Sequence, residues 1–368
     1  MLKVIILVSA HNLAFGGGDI HMSKLISEYM KTPSVNVTKM TVPFNGSEFT
    51  ALSNSVSIIR TLLYPLDKKY KELYQGSIIV ASSPYPSYVI LSLRLSRLVG
   101  GYPIIYFHHL GLSLRFIWRR GVVRVIINFV LTSLTLSACK IMGIPIFLDN
   151  PNSCSIKGLD IFKDEDAPEY YGDSIVNSYG SKVFDLCYVG RFEKHKGALD
   201  IIKVVEILKN NNILMKVAIV GNINKRFKRS ISKSLNKKGL GDYFTFFGAV
   251  DNQTKFKILM SSRIYLHLSY EEGWGMSVMD AAYIGIPIIA YNLLAYSYLN
   301  GMFNAVKIGD IEGVFKAIMK VLSNYQGALS VSERAKELVK RYNYHDIARE
   351  QIGSYETIIK KKADRTRV

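Results

Sequence analysis

The chain contains little that would assign it to a secreted or membrane-spanning class. Its three cysteines, Cys139, Cys154 and Cys187, are unevenly spaced and offer neither a disulfide framework nor the paired spacing of a zinc site. The most membrane-like stretch, residues 125–139, is uncharged but shorter than the ~20 residues that a spanning helix needs. The apolar run at residues 1–10 is short and lacks a clean cleavage site, so it is interpreted as a first strand instead of a signal peptide. The cytoplasm is therefore the expected compartment.

Acidic residues are also scarce. The sequence has 29 Asp and Glu against 47 Lys and Arg, which gives a formal net charge of +18. The basic residues gather in three clusters, at residues 115–124, 225–238 and 360–367. Such a field favours polyanions, namely an anionic membrane, nucleic acid or a phosphorylated substrate, although solubility alone explains any single cluster equally well.

The length and the hydrophobic pattern predict an α/β fold with two domains. A chain of 368 residues with 49% apolar residues can supply two cores of ordinary size. In the first half, helical patterns alternate with short apolar segments, at residues 3–8, 35–41, 77–82 and 103–107. This alternation predicts a parallel sheet that is covered on both faces. Residues 149–182 break the pattern with prolines, glycines and scattered acids, and we expect irregular structure there that leads into an interdomain linker.

The most informative stretch is residues 271–290, which follow a predicted buried strand. Gly273 and Gly275 permit a sharp turn and a close approach to a ligand, and a helix is predicted to begin near Gly275. Glu272 then lies on the loop at the carboxyl end of the strand, and Asp280 lies in the helix. Two carboxylates therefore bracket a helix amino terminus, a place that suits phosphate. The arrangement fits a nucleotide-sugar site, and an ordinary strand-loop-helix with two solvated acids is the alternative.

These residues resemble the signature of the retaining family 4 glycosyltransferases, the glycosyl transferases group 1 of GT-B fold. That signature is a Glu, seven residues and a second Glu, and the chain matches it from Glu272 through Trp274 and Gly275, with Asp280 in place of the second Glu. The resemblance implies an α/β GT-B fold, with two Rossmann-like domains whose parallel sheets face each other across a cleft. It also implies an acceptor-binding domain, a donor-binding domain and a terminal helix that packs back on the first domain, at residues 1–178, 179–342 and about 343–362.

The resemblance further implies roles for individual residues. Arg191 and Lys196, after the first strand of the second domain, are expected to stabilise charge on the diphosphate. Glu272 is expected to position the donor sugar and Asp280 to hold the ribose. His108, at the end of a predicted strand, is expected to contact a sugar hydroxyl or orient the acceptor, with a capping or core histidine as the alternative. The expected catalytic residues are Glu272, His108, Arg191 and Lys196. The expected donor-binding residues are Gly16, Gly17, Arg191, Lys196, Glu272, Gly273, Trp274, Gly275, Met276, Ser277 and Asp280.

The implied function is transfer of a hexose-type sugar, with retained configuration, from a nucleotide-diphosphate sugar to a hydroxyl acceptor. In front-face substitution the leaving phosphate oxygen takes the proton of the acceptor, so no covalent nucleophile is needed. The nucleotide sugar is the donor substrate, and no cofactor and no metal are expected. Asp164-Glu165-Asp166 matches the Asp-x-Asp of metal-dependent glycosyltransferases, but we expect it in an acidic loop instead of beside a strand, which argues against a metal.

Charge suggests the acceptor, a lipid-linked or membrane-presented glycan. Arg119, Arg120 and Arg124 precede the apolar run at residues 125–139, and basic residues beside an apolar face suit an anionic bilayer. We therefore expect peripheral attachment to the cytoplasmic membrane face, with burial of the run under the sheet as the alternative. Two other functions stay open. A transferase acting on nucleic acid would suit the net charge, but no binding motif supports it. A non-catalytic nucleotide-sugar-binding protein is the other.

Overall fold

The computed structural model describes residues 1–9, 17–42, 58–108, 122–149, 158–168 and 182–365. The chain forms two compact units. The first contains the described residues before Ala167 together with those from Asn343 onward, and the second runs from Ala167 to Tyr342.

The first unit is built on a parallel sheet. Its strands are β1 (Leu2–Ser9), β2 (Val35–Val42), β3 (Ile78–Ala81), β4 (Tyr102–Phe107), β5 (Ile146–Leu148) and β6 (Ile161–Lys163). Within the described residues they lie in the order β2-β1-β3-β4-β5-β6, and every neighbouring pair is parallel. Its helices are α1 (Gly17–Lys31), α2 (Lys69–Leu73), α3 (Pro86–Val99), α4 (Val122–Met142) and the C-terminal α11 (Tyr344–Arg365). A further helical segment covers residues 58–63.

The second unit contains a second parallel sheet. Its strands are β7 (Phe184–Val189), β8 (Val217–Val220), β9 (Phe244–Gly248), β10 (Ser262–His267), β11 (Ile288–Tyr291) and β12 (Asn304–Val306). In the part of the unit that the structure describes, their order is β12-β11-β10-β7-β8-β9, all parallel. The helices are α5 (Ala198–Asn210), α6 (Lys225–Lys237), α7 (Asn252–Met260), α8 (Met276–Ile284), α9 (Ile311–Ser323) and α10 (Tyr325–Val339). Short 3-10 turns cover Lys194–Lys196, Gly241–Tyr243 and Leu294–Leu299.

Burial explains why both sheets are parallel. Every residue of β3, β8 and β11 is buried. Helices that connect parallel strands cover both faces of a sheet, so its central strands are continuously apolar instead of alternating. In the second unit, two separate core clusters pack on the two sides of the sheet. The prediction of two Rossmann-like α/β domains is confirmed.

The C-terminal helix α11 belongs to the first unit, where it packs on α1. The contact is polar at its centre, since Tyr29 and Tyr106 donate hydrogen bonds to the Gln351 side chain and Tyr106 also meets the Tyr355 hydroxyl at 2.6 Å. All four side chains are buried. A buried group of mutually satisfied hydrogen bonds fixes the position of the helix more specifically than apolar contact alone.

The expectation of irregular structure over residues 149–182 is wrong for part of that range. Residues Ile161–Lys163 form the edge strand β6, which pairs with β5. Neither strand is longer than 3 residues, too short for a periodic pattern to stand out in the sequence. The predicted boundary near residue 179 lies outside the described residues. Among those that are described, no helix is both long and apolar enough to cross a membrane.

Candidate functional site

The second sheet places the predicted donor-binding segments side by side. The strand order changes direction between β7 and β10, which pair with each other although they are far apart in the sequence. Arg191 and Lys196 follow β7, and Glu272 follows β10. In open α/β sheets, ligands bind outside the carboxyl ends of the strands at such a switch point. The topology thus brings together residues that the sequence separates.

Glu272 is the centre of this site. Its Oε1 atom lies 2.8 Å from Nζ of Lys196 and 3.0 Å from Nε2 of His267. Burial by itself raises the pKa of Glu272, but the Lys196 ammonium and the hydrogen bond from His267 outweigh it and hold the pKa well below its ordinary value. The carboxylate is therefore ionised at neutral pH. Among the described residues, both of its hydrogen-bond partners fall on Oε1.

His267 ends β10 and lies among aromatic rings. The imidazole stacks on the ring of Tyr188 at a centroid distance of 5.7 Å and on that of Tyr265 at the same distance. The edge of Tyr296 closes a third side. Its Nδ1 atom lies 2.9 Å from the Tyr265 hydroxyl. The ring therefore has one fixed orientation, in which Nε2 points to Glu272.

A glycine allows the two segments to approach each other. Gly197 has a φ of +82°, and a Cβ atom there would lie 2.1 Å from the carbonyl oxygen of Leu268. The amide of Tyr270 also donates to the turn before Gly197, at 3.0 Å. A side chain at this position would separate the turn that carries Lys196 from the loop that carries Glu272.

Trp274, an expected donor-binding residue, faces the interior of the second unit. Its ring stacks on Tyr298 with a centroid distance of 5.0 Å and an interplanar angle of 12°. Its indole N–H donates to the sulfur of Met279 at 3.4 Å. Trp274 therefore anchors the loop to the interior of the second unit.

The loop ends where α8 begins, at Met276. Gly275 has a φ of +85° at the position before the helix, and a Cβ atom there would lie 2.5 Å from the ring of Tyr296. Gly273 and Ser277 flank this turn, and the Ser277 side chain interacts with the Tyr265 hydroxyl. The expected helix start near Gly275 is confirmed. The first amides of α8 are therefore close to Glu272 in the sequence.

Arg191 and Asp280 have partners that the sequence did not indicate. The half-exposed Arg191 guanidinium lies 3.4 Å from Glu193, two residues along the chain. Asp280 is buried and accepts a hydrogen bond of 2.7 Å from Lys255 of α7. Asp280 is therefore one half of a buried ion pair, whereas Arg191 is accessible to solvent.

The first unit has a second cluster around His108, at the carboxyl end of β4. Its Nδ1 atom lies 3.6 Å from Asp149, after β5, and 3.9 Å from Asp164, after β6. Burial lowers the pKa of His108, but the two carboxylates outweigh burial and raise it above its ordinary value. Burial also raises the pKa of Asp149 to about 7, although His108 acts in the opposite direction.

Gly18, the last glycine of the triplet, lies against this cluster. A Cβ atom at Gly18 would lie 2.3 Å from the ring of His108, so only glycine fits there. Gly17 is the first residue of α1, and Gly16 lies outside the described residues. Nε2 of His108 is buried and has no hydrogen-bond partner within the described part of the chain.

The expectation that Asp164-Glu165-Asp166 lies in an acidic loop away from any strand is wrong. Asp164 directly follows β6, and both aspartates are buried. His21 of α1 lies between them, 2.9 Å from Asp164 and 3.3 Å from Asp166. Burial lowers the pKa of His21, but these carboxylates outweigh it and raise the pKa well above its ordinary value. The motif thus binds a protonated histidine of α1.

Among the described residues, His108, Asp149 and Asp164 have ligand atoms within 4.8 Å of one another, close enough to hold a metal ion. The His21 imidazolium already balances part of the negative charge of this group. No sequence motif marks four further residues of these sites, Asp149, His21, His267 and Lys255. Each acts through a partner distant in the sequence or through its orientation, and neither property leaves a local pattern.

Part of the chain is similar in sequence to known glycosyltransferases. Residues 176–338 match the model of the family described as glycosyl transferases group 1. An uncharacterised glycosyltransferase of Methanocaldococcus jannaschii is 30% identical over 212 residues, which are 55% of this chain and 52% of that protein. A phosphatidyl-myo-inositol mannosyltransferase of Mycolicibacterium smegmatis is 24% identical over 209 residues, 55% of this chain and 50% of that protein. The matched segments span about half the length of these curated relatives.

Solved structures extend the similarity of fold over nearly the whole chain. HepE of Anabaena, crystallised with UDP and glucose, aligns with a TM-score of 0.72 and 11% identity over 97% of this chain and 100% of its own. Two further glycosyltransferase structures of GT-B fold align over a similar share of this chain. The GT-B fold that the sequence predicted is therefore confirmed.

Proposed function

We propose that the chain moves a sugar from a nucleotide-diphosphate sugar to a hydroxyl acceptor, because its residues 176–338 match the model of the glycosyl transferases group 1 family. The observation that carries this proposal is the pairing of Lys196 with Glu272 at the switch point of the second sheet. A cation suited to a diphosphate and a carboxylate suited to sugar hydroxyls meet there. The structure of HepE with UDP and glucose supports a donor of this class.

In the proposed donor complex, Lys196 and Arg191 bind the diphosphate. An ammonium carries three donors, and Lys196 uses one on Glu272. The half-exposed Arg191 can turn from Glu193 to the phosphates, because a solvent-exposed ion pair contributes little stability. Glu272 accepts a hydrogen bond from the donor sugar through Oε2. Asp280 accepts one from the ribose while it keeps its contact with Lys255.

The proposed reaction retains the configuration of the sugar. The leaving phosphate oxygen takes the proton of the acceptor as the new glycosidic bond forms on the same face. Arg191 and Lys196 stabilise the charge that develops on the diphosphate, and such preorganised charge is often the largest contribution to a lowered barrier. We expect the rate of sugar transfer to persist in EDTA, because Arg191 and Lys196 take the role of a metal. NMR of the product should show the same anomeric configuration as the donor.

The proposed acceptor binds the first unit. The buried Nε2 of His108 has no partner among the described residues, so it is placed to bond an acceptor or sugar hydroxyl. The relative named phosphatidyl-myo-inositol mannosyltransferase supports a lipid-linked acceptor. An acceptor of that kind is presented at a membrane surface.

The donor proposal is tested by a thermal-shift and hydrolysis screen of nucleotide-diphosphate sugars. Wild type and Glu272→Gln are compared with Glu356→Gln, an exposed glutamate of α11. We expect one donor to stabilise the wild type and to be hydrolysed slowly, Glu272→Gln to lose hydrolysis, and Glu356→Gln to keep it. Failure of every donor to stabilise the wild type would contradict the proposal, and strongly salt-dependent duplex binding would then favour a nucleic-acid partner. Donor binding without any turnover would favour a non-catalytic binding protein.

We further propose that the first unit attaches to an anionic membrane surface through α4. Ile126, Val130, Leu134 and Ile141 are all exposed, and Ile141 is 85% exposed. At 3.6 residues per turn these four side chains fall within an arc of about 80° on the helix. An exposed apolar stripe of this kind marks an interaction surface. The arginines at residues 115 to 120 that precede the helix lie outside the described residues.

Membrane attachment is tested by sedimentation with anionic liposomes. Val130→Asp and Leu134→Asp together place two charges on the stripe and should release the protein. Leu294→Asp, at a residue of the second unit with 65% exposure, is the matched control and should leave binding unchanged. Equal sedimentation of all three proteins would refute attachment through α4.

A further inference from the structure

The donor site contains a hydrogen-bonded chain that the proposed function does not use. We propose that His267 is a positioning residue, which holds Oε1 of Glu272 so that Oε2 is presented to the donor sugar, and that Tyr265 fixes the proton of His267. This inference rests on the proposed function, because it assigns the donor sugar to Glu272.

The contacts of Glu272 are one-sided. Lys196, from the turn after β7, and His267, at the end of β10, both approach Oε1. No hydrogen bond to Oε2 is present among the described residues. Two donors from different elements fix the plane of a carboxylate, whereas a single flexible lysine would leave it free to rotate. The second oxygen then remains available, in a fixed direction, for a hydroxyl group.

His267 is itself held in place. Its side chain is 3% exposed, and the rings of Tyr188 and Tyr265 lie nearly parallel to the imidazole, each at a centroid distance of 5.7 Å. Nδ1 is occupied by the Tyr265 hydroxyl at 2.9 Å. A buried imidazole that is bonded at both nitrogens cannot flip by 180° without losing both hydrogen bonds.

The Glu272 carboxylate determines which nitrogen of His267 carries a proton. Ionised Glu272 can only accept, so Nε2 of His267 must carry a proton. Whenever the imidazole is neutral, Nδ1 is then bare and accepts a hydrogen bond from the Tyr265 hydroxyl. Burial raises the pKa of Tyr265 well above its ordinary value, which keeps that hydroxyl protonated. The backbone oxygen of Val189 is a second acceptor for it, but at 3.3 Å it is the longer contact. The chain therefore runs from Tyr265 through His267 to Glu272.

A positioning role predicts a change in pH dependence. The charged and titratable groups that face Glu272 are Lys196, His267 and the hydroxyls of three tyrosines, Tyr188, Tyr265 and Tyr296. Lys196 and His267 lower the pKa of Glu272. Loss of the imidazole N–H should therefore raise the pH at which activity is lost in acid, even if the fold is intact.

The test compares His267→Phe, which keeps an aromatic ring in the stack, with His267→Gln, which keeps an N–H donor. His345→Gln, at an exposed histidine of α11, is the control. The measurement is the pH profile of kcat and KM for hydrolysis of the donor that the screen identifies. Loss of a residue that orients a metal ligand costs about 10- to 100-fold in activity, and we take the same range for a residue that orients Glu272. We expect a kcat loss of that size in His267→Phe with its acid limb at higher pH, and recovery of the wild-type acid limb in His267→Gln.

A second measurement does not depend on activity. A double-mutant cycle of His267→Phe and Glu272→Gln in thermal unfolding should show that the two substitutions are strongly non-additive. Additive effects, or a His267→Phe variant with the wild-type kcat and acid limb, would overturn the inference. If no donor stabilises the wild type, the proposed function fails, and the cycle alone decides whether His267 holds Glu272.

Discussion

Replacement of Lys196 by methionine should destabilise the second unit measurably. The substitution keeps the length of the side chain but removes the ammonium that lies 2.8 Å from Glu272. Breaking a buried ion pair costs about 3–5 kcal/mol, because one charge is left without its partner. Here the Lys196 and Glu272 side chains are 17% and 14% exposed, and His267 still donates to the carboxylate. The loss of stability is therefore smaller. We expect about 2 kcal/mol, which corresponds to a melting temperature lower by roughly 4–8 °C for a domain of this size.

The dependence of this loss on pH has a definite sign. The pKa of Glu272 is held below its ordinary value of 4.5 in the folded protein. The stabilisation from the ion pair is therefore complete above the unfolded pKa and is lost as the pH falls through the lower folded pKa. The difference in unfolding free energy between wild type and Lys196→Met should be full at pH 7 and should shrink in acid.

Two controls make the result specific. Lys203→Met, at an exposed lysine of α5, should leave the melting temperature unchanged. Lys196→Met combined with Glu272→Gln should recover most of the lost stability, because no buried charge is then left unpaired. Equal stability of Lys196→Met and wild type at pH 7 would contradict a stabilising Lys196–Glu272 ion pair. So would a difference in unfolding free energy that grows as the pH falls.

Other substitutions test the local geometry. Gly197→Ala should cost at least about 2 kcal/mol, through left-handed strain and a backbone clash, whereas Gly353→Ala in the open face of α11 should stabilise by about 0.5–1 kcal/mol, both measured by chemical denaturation. Asp310→Ala should cost about 1 kcal/mol in the same assay, because its carboxylate caps α9. Burial raises the pKa of Cys139 and Cys187 to about 12, so peptide mapping should find both unmodified by iodoacetamide at pH 8 until denaturant is added.

Much of the donor site could be predicted because its signals are local. The glycines around Trp274 mark a sharp turn, and a helix start near Gly275 follows from the residues next to it. The parallel topology then places the segments of Lys196 and Glu272 at the same edge of the second sheet. The expectation that the two segments act together comes from the family resemblance, and the observed order of the strands places them side by side.

Long-range pairing could not be predicted in the same way. Lys255 lies 25 residues before Asp280, and His21 lies 143 residues before Asp164. No periodic pattern links such positions. The direction of the Trp274 ring could not be predicted from the sequence either, because an aromatic residue between glycines can face a ligand or the core. Here the ring stacks on Tyr298.

Above all, we propose that the carboxyl ends of β7 and β10 bind a nucleoside diphosphate. Calorimetric titration of a panel of nucleoside diphosphates into wild type, Lys196→Met and Lys203→Met tests it most directly. Hydrogen bonds from charged groups contribute about 1.5–3 kcal/mol, so we expect one nucleotide to bind the wild type and Lys203→Met alike and to bind Lys196→Met about 10- to 100-fold more weakly. Equal affinity for Lys196→Met and wild type, or no binding by any member of the panel, would contradict the claim.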